Sequence, residues 1–408
     1  MFERGADGTV AAASRFRYIP RHDLAMTTGS QNEYARVWDK LHATIVGEQW
    51  RGYDPYDGLN SPLSRAIPWK PWRQAWIQFH KRSPFNLRPL FGIHKQTNPK
   101  ALALGVSALC HRYRATGHYE LLKEALALAE QMIDLRSKYS SNLAWGYPFD
   151  WQSRAFFAPA DTPNMICTVF AASALLDLHD ASNQPRYLLR AVESVEFILT
   201  ELPRTEKGDT FCFSYTTLDR SCVHNVNLLG AALVARVGRL MEKPDWLAKA
   251  KAAIQFSVNA QAEDGSWRYG TAENQSWIDS FHTGYNLVAL KQYHEATADK
   301  SFQDALQRGW EYYRARFFLE DGTPKYYNHA VYPIDVHNCA QGIITFLEIG
   351  RDRAGAERIA QWAVQNLWDE RGYFYFQKTP LWMNHILYMR WAEAWMLLSL
   401  SRLLQVAR

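Results

Sequence analysis

Residues 98–138 read NPKALALGVSALCHRYRATGHYELLKEALALAEQMIDLRSK. Asn98 is a residue type that caps the first free N–H groups of a helix. Pro99 follows at the first helical position, where its missing N–H costs nothing. The pattern predicts a helix over 99–115, a turn at Ala115-Thr116-Gly117-His118 and a second helix over 118–137. In that second helix Leu122, Ala125, Leu126 and Ala129 recur on one face. Two helices joined by so short a turn form a helical hairpin.

The same plan returns four times. Thr162-Pro163-Asn164 opens a helix over 165–182, followed by one through 187–202. His224-Asn225 opens 226–241, followed by 246–261. Trp277-Ile278-Asp279 opens 280–297, followed by 301–318. Tyr332-Pro333-Ile334-Asp335 opens 336–350, followed by 354–368. The openings at Asn98, Asn164, Asn225, His282 and His337 are spaced by 66, 61, 57 and 55 residues, the signature of an α/α repeat. A last helix over 388–405 lacks a sequential partner, and residues 31–46 supply one; pairing the two closes a ring of about six hairpins. The expected fold is therefore all-α, an (α/α)6 toroid. Its aromatic, Gly-bearing connectors at 208–215, 263–270, 319–327 and 369–376 read as loops or short β-hairpins.

No stretch rich in Pro, Gly or Ser is long enough to be a linker. The 408 residues read as one toroid domain, with an irregular part over 1–96 that carries the ring-closing helix and regular hairpins over 97–408. One helix is expected near 69–82, and Gly52-Tyr53-Asp54-Pro55-Tyr56-Asp57-Gly58 reads as a structured turn whose aromatics pack on the ring; it lacks the acidic density of a calcium loop. The net charge of +5 is mild and interspersed, which argues against nucleic acid and leaves room for a modest preference for anionic ligands. Five cysteines without CxxC spacing indicate neither a disulfide framework nor zinc. No apolar leader is seen between Met1 and Arg21 and no run of 18 apolar residues marks a membrane span, so the expected location is the cytoplasm. No cofactor or metal is expected, and the oligomeric state is open.

Aromatic content is high, 14% with 16 Trp and 21 Tyr, which suits helix–helix packing or a groove that stacks sugar rings. In a toroid the N-termini of the inner helices gather at one mouth, where free N–H groups and the helix dipole favour anions. The residues there are polar and aromatic. They include Asp150, Trp151, Arg154 and Asn164; His224 and Asn225; Trp277, Asp279, His282 and Tyr285; Tyr332, Asp335, His337 and Asn338; and Trp382, His385 and Arg390. Taken singly, Thr162, Asp279 and Asp335 are ordinary N-caps, a lone histidine is a satisfied core residue and a lone tryptophan is packing. Capping explains one polar residue per helix start. It does not explain His, Asn, Tyr and Asp together at four successive starts, and a shared ligand site at that mouth does.

The repeat, the length and the aromatic connectors resemble the α/α-toroid proteins of carbohydrate chemistry. These are the N-acylglucosamine 2-epimerases, several glycoside hydrolases, toroid polysaccharide lyases and the helical domain of glucuronyl C5-epimerases. The segments WGYPFDWQSR, SWIDSFHTGYN, YPIDVHN and YMRWAEAW also resemble uncharacterised helical proteins encoded among bacterial surface-polysaccharide genes, over residues 100–400. Gln261–Trp267 is similar to terpene-cyclase repeats, but no DxDD or DDxxD run accompanies it. The chain departs from the C5-epimerases and many lyases in showing neither a leading β-rich domain nor a trailing β-sandwich.

The resemblance implies a carbohydrate partner and an enzyme. In one scheme a base removes the C5 proton of a uronate. Asn225, Asn338 or Arg154 neutralises the carboxylate, and His282, His337, Tyr285 or Tyr332 serves as base and acid; a lyase then expels the 4-O substituent, and an epimerase returns a proton to the opposite face. In a second scheme, an inverting glycoside hydrolase draws its two carboxyl groups from Asp150, Asp279 and Asp335. A third reading is a non-catalytic glycan-binding or assembly protein of surface-polysaccharide biosynthesis. Asp150, Trp151, Arg154, Asn164, His224, Asn225, Trp277, Asn338, Trp382, His385 and Arg390 are the expected substrate contacts.

Overall fold

The computed structural model describes residues 21–65 and 68–405; the stretch 1–20, read above for a leader, lies outside them. Helix α1 spans Arg21–Gly47. The short α2, Pro62–Arg65, and α3, Lys70–Arg82, follow. Then come hairpins: α4 (Pro99–Thr116) with α5 (Tyr119–Asp134), α6 (Met165–Ser182) with α7 (Pro185–Thr200), and α8 (His224–Leu240) with α9 (Pro244–Val258). They continue with α10 (Ser280–Thr297) and α11 (Gln303–Arg316), then α12 (Val336–Thr345) and α13 (Arg353–Leu367). The chain ends on α14 (Ala394–Leu404), entered through a π-helical turn, Met389–Glu393.

Helices α4, α6, α8, α10, α12 and α14 each pack on the next, and α14 packs back on α4, closing an inner ring. Helices α5, α7, α9, α11 and α13 pack outside their partners, and α1 packs on α14, so the first and last helices pair as expected. The Trp38 indole fastens that closure, donating to Leu397 O at 3.2 Å and Ser401 Oγ at 2.7 Å. Patterning separates the two rings. The outer α5 buries one stripe, Leu122, Ala125, Leu128, Ala129, Met132 and Ile133, whereas every residue of α4 from Pro99 to His111 is buried. Inner position also accounts for one long apolar helix. Met165–Ser182 is long and apolar enough to cross a membrane, and it is the inner helix between α6's neighbours α4 and α8, with 61% of it buried.

The repeats interlock at the helix starts. The first N–H groups of a helix lack internal partners. Here Met165 N donates to Tyr215 O at 2.8 Å, His224 N to Tyr269 O at 3.1 Å, Ser280 N to Tyr326 O at 3.0 Å and Val336 N to Phe376 O at 3.1 Å. Each acceptor lies in the aromatic connector one repeat further on. Two connectors contain β-hairpins, Arg204–Lys207 with Thr210–Phe213 and Trp368–Asp369 with Tyr373–Phe374. Two others turn on Gly265 and Gly322, at φ 88° and 89°, pressed so close to Arg308 O and Arg358 O that a Cβ would sit 2.3 and 2.6 Å from them. Asn98, Asn164, Asp279 and Asp335 cap α4, α6, α10 and α12 through their side chains. Thr162 does not cap; its hydroxyl donates to Pro159 O.

The irregular N-terminal part is pinned to the end of the chain. Arg51–Gly52 pairs with Gln96–Thr97, and Tyr53 bridges Tyr388. Buried Asp54 accepts from Arg390 Nε and Nη2 at 2.5 and 2.7 Å, and Asp57 accepts from Arg88 Nε at 2.7 Å. Arg88 Nη2 in turn donates to Asp54 O at 2.8 Å. The turn at 52–58 is thus an acidic clasp for two buried arginines, and Trp76 and Ile77 of α3 cover Leu59 beside it. Removing one partner of a buried ion pair leaves the other charge stranded. Asp54→Ala is therefore expected to lower the unfolding free energy by about 3–5 kcal/mol, measured by urea denaturation.

Glu393, fully buried in the π-helical turn, accepts from Phe374 N at 2.9 Å. Burial pushes its carboxyl up from 4.5 to about 8. Between those values the folded state holds a proton that the unfolded state has lost. The stability this proton confers is full below about 4.5 and is lost as pH rises through about 8. Glu393→Gln, which keeps the acceptor, is expected to remove that part of the pH dependence and to melt above the wild type at alkaline pH; thermal melts across the range check it.

Candidate functional site

The N-terminal ends of the inner helices open into a cavity of about 870 Å³. Lys100 comes from α4, Asn225 from α8, His282 and Tyr285 from α10, and His337 from α12; Arg390 and Trp391 come from the turn before α14. The hairpin formed by Trp151–Gln152 and Phe157–Ala158 arches over one side and brings Arg154 to the rim. Helix α3 flanks it through Gln78 and Lys81 and is tied to the hairpin by Gln74 Nε2, which donates to Ser153 O at 3.1 Å.

Two hydrogen-bonded pairs face this space. His282 Nδ1 lies 2.7 Å from Asp279 Oδ2, and the same oxygen accepts from the Trp277 indole at 2.9 Å. A carboxylate only accepts, so Nδ1 is the donor in this pair and Nε2 is the ring nitrogen that Asp279 does not engage. The second pair is Tyr285 Oη with His337 Nε2, 2.6 Å apart. Burial, then Lys100, Arg390 and His282, hold the His337 imidazolium well below the usual range, so His337 is neutral. Burial holds Tyr285 well above its usual value, so it stays a phenol. Both pairs start on α10, where His282 and Tyr285 stand three residues apart and share a face. Their ring centroids are 6.1 Å apart.

The walls are aromatic. Tyr269 stacks on Trp277 at 4.4 Å and leans on His282 at 4.6 Å; Trp151 contacts Tyr215 and Phe156 at 5.2 and 5.3 Å. At the rim, Arg154 lies over the Trp277 ring at 4.4 Å, and Tyr332 and Trp382 are 40% and 45% exposed. The charges are one-sided. Lys81, Arg82, Lys100, Arg154 and Arg390 line the cavity, against one carboxylate among the described lining residues, Asp279.

Of the residues expected at the mouth, Trp151, Arg154, Asn225, Trp277, Asp279, His282, Tyr285, Tyr332, His337, Trp382 and Arg390 line the cavity. The others do not. Asp335, expected as a catalytic group, stands behind the wall: fully buried, it accepts from the Trp391 indole at 3.0 and 3.2 Å, from Gln377 Nε2 at 3.3 Å and from His337 N at 2.9 Å. Burial pushes its carboxyl up to about 6. It is a positioning residue for the wall. Asp150 accepts from Ala160 N and shapes the arching hairpin, and Asn164 is spent on capping α6. His224 turns away to Ser257 Oγ at 3.1 Å, Asn338 donates to Lys325 O, and exposed His385 packs on Tyr375 at 4.1 Å. Sequence reading missed Lys100, whose Asn98-Pro99 neighbours read only as a cap. It also missed Tyr215, Tyr269 and Tyr326, which end the connectors, and Tyr56 and Lys81 of the irregular part.

No protein-family model matches the chain, and no curated protein matches it in sequence. Solved structures do match in shape. A cellobiose 2-epimerase from Bacillus thermoamylovorans B4167 superposes with a TM-score of 0.59 at 12% identity, over 76% of this chain and 90% of that one. A family 76 glycoside hydrolase (mannosidase) from Bacteroides thetaiotaomicron gives 0.58 at 12% identity, over 90% and 98%. A possible family 105 member from Salmonella enterica gives 0.54 at 14%, over 75% and 82%. At these identities the likeness is one of fold: the chain is an (α/α)6 toroid, with the architecture of sugar epimerases and glycoside hydrolases.

Proposed function

We propose that the protein is a carbohydrate-active enzyme that abstracts the C5 proton of a uronate-containing glycan or oligosaccharide, in an epimerase or lyase reaction. The observation that carries this reading is the His282–Asp279 pair facing the same cavity as the Tyr285–His337 pair. His282 Nε2, its other nitrogen held by Asp279, is the base. The Tyr285 phenol is the acid, its hydroxyl positioned by His337 Nε2 at 2.6 Å. A C5 proton becomes acidic only when the adjacent carboxylate is neutralised, and the cationic lining suits that task. Return of a proton to the opposite face inverts C5; departure of the 4-O group leaves an unsaturated uronate.

The hydrolase alternative fits the lining less well. It needs two carboxyl groups facing across the sugar. Asp150 and Asp335 lie outside the cavity, and both oxygens of Asp279 are engaged by Trp277, His282 and the His282 backbone.

The test is incubation in heavy water with a panel of glucuronate- and galacturonate-containing oligosaccharides. Deuterium at C5, or new ultraviolet absorbance from an unsaturated uronate, is expected. His282→Ala is expected to slow either signal by about 10²–10⁴-fold, the usual contribution of a positioned base, with an unchanged circular dichroism spectrum. Deuterium at C2 of a reducing sugar, or release of reducing ends without either signal, contradicts the proposal.

A further inference from the structure

Lys100 has an environment unusual for a lysine. It is 2% exposed, and no carboxylate or hydrogen-bond acceptor partners its Nζ among the described residues. The ammonium nitrogen sits over Phe170 of α6 at 4.1 Å, Trp395 of α14 at 5.2 Å and Tyr285 of α10 at 5.7 Å. Rings from three other inner helices thus converge beneath it, which places it on the axis of the toroid, at the cavity floor. Cation–π attraction returns only part of the cost of taking an ammonium out of water. Arg390 lines the same cavity and has a spare donor: it spends Nε and Nη2 on Asp54, while its Nη1 has no protein partner among the described residues. Asp54, the nearby acid, accepts from Arg390 twice and from Tyr56 N, and it makes no hydrogen bond to Lys100. Burial and the neighbouring Arg390 hold the lysine well below its usual range. Tyr285 and Cys167, the other titratable groups close by, are held in their neutral forms by burial. The floor therefore carries a lysine that no carboxylate partners and an arginine with a spare donor, its own charge matched by Asp54.

We propose that Lys100 and Arg390 form an anion-holding subsite on the cavity floor, and that its ligand is the carboxylate of an acidic sugar. The inference rests on the reading of the cavity as a sugar site but not on the C5 reaction. A planar carboxylate would accept from Arg390 Nη1 with one oxygen and from the Lys100 ammonium with the other, completing both residues at once. It would be seated beside Tyr285 and His337, where the acid–base pairs meet the sugar.

The probes are glucuronate, glucose 6-phosphate and glucose, titrated against the full chain and read by ligand-observed NMR. Glucuronate is expected to bind at least about tenfold more tightly than glucose, and Lys100→Met to abolish that preference. The variant removes a buried unpaired charge, so its melting temperature is expected to match or exceed that of the wild type; Lys100→Arg is expected to keep the preference. Tighter binding of the phosphate than of glucuronate would overturn the carboxylate assignment. Equal affinity for the three sugars in the wild type, no saturable binding of glucuronate, or a preference that survives Lys100→Met would overturn the subsite. The C5 chemistry fails separately: a protein that binds glucuronate through Lys100 yet exchanges no C5 proton keeps this subsite and loses the reaction.

Discussion

The hydrogen bond from the first N–H of an inner helix to the carbonyl of the aromatic connector one repeat ahead is the constraint on which the rest is built. It recurs at Met165, His224, Ser280 and Val336, with Tyr215, Tyr269, Tyr326 and Phe376 as acceptors. Each bond satisfies a donor that burial would otherwise strand. It also fixes the rotation of one repeat against the next and brings an aromatic residue to the mouth. Tyr215, Tyr269 and Tyr326 line the cavity for this reason. The aromatic surplus of the sequence is thus partly a product of ring assembly: the same residues close the repeats and wall the site.

The ring still needs a seam, and the chain makes it twice. The helix pair α1 and α14 fills the last hairpin position, and the Asp54–Arg390 pair joins the N-terminal segment to the turn before α14, 336 residues away. That pair links fold to site. Arg390 is anchored by two of its nitrogens and lines the cavity, as does Lys100, which no carboxylate partners among the described residues. A buried lysine over three aromatic rings is costly for stability alone. Its cost is intelligible if the cavity exists to receive an anion.

The fold was legible because its signals are periodic. Caps at Asn98, Asn164, Asp279 and Asp335 and the spacing of the openings locate the inner helices, and they do so without tertiary knowledge. The site was legible only to the resolution of a helix turn. Successive residues on a helix are rotated by about 100°, so neighbours at one helix start meet different surroundings: Asn225 faces the cavity while His224 turns to Ser257 of α9. The same rotation separates His337 in the cavity from Asn338 behind it, and the cap Asp335 points at Trp391 through the wall. Lys100 was hidden by its resemblance to an ordinary solvent-facing lysine in a first turn; nothing local says that three other helices will cover it. Tyr56 and Lys81 come from a segment with no repeat, where periodicity gives no guidance.

The proposed placement has an acidic sugar in this cavity, its charge on the floor and its reacting carbon before His282. The most direct measurement is a crystal structure of the His282→Ala variant with a glucuronate-containing oligosaccharide. The sugar carboxylate is expected between Lys100 Nζ and Arg390 Nη1, with C5 directed at the space left by the imidazole and beside the Tyr285 hydroxyl. A sugar bound with its carboxylate turned to solvent, or seated on the outer surface of the ring, would contradict it.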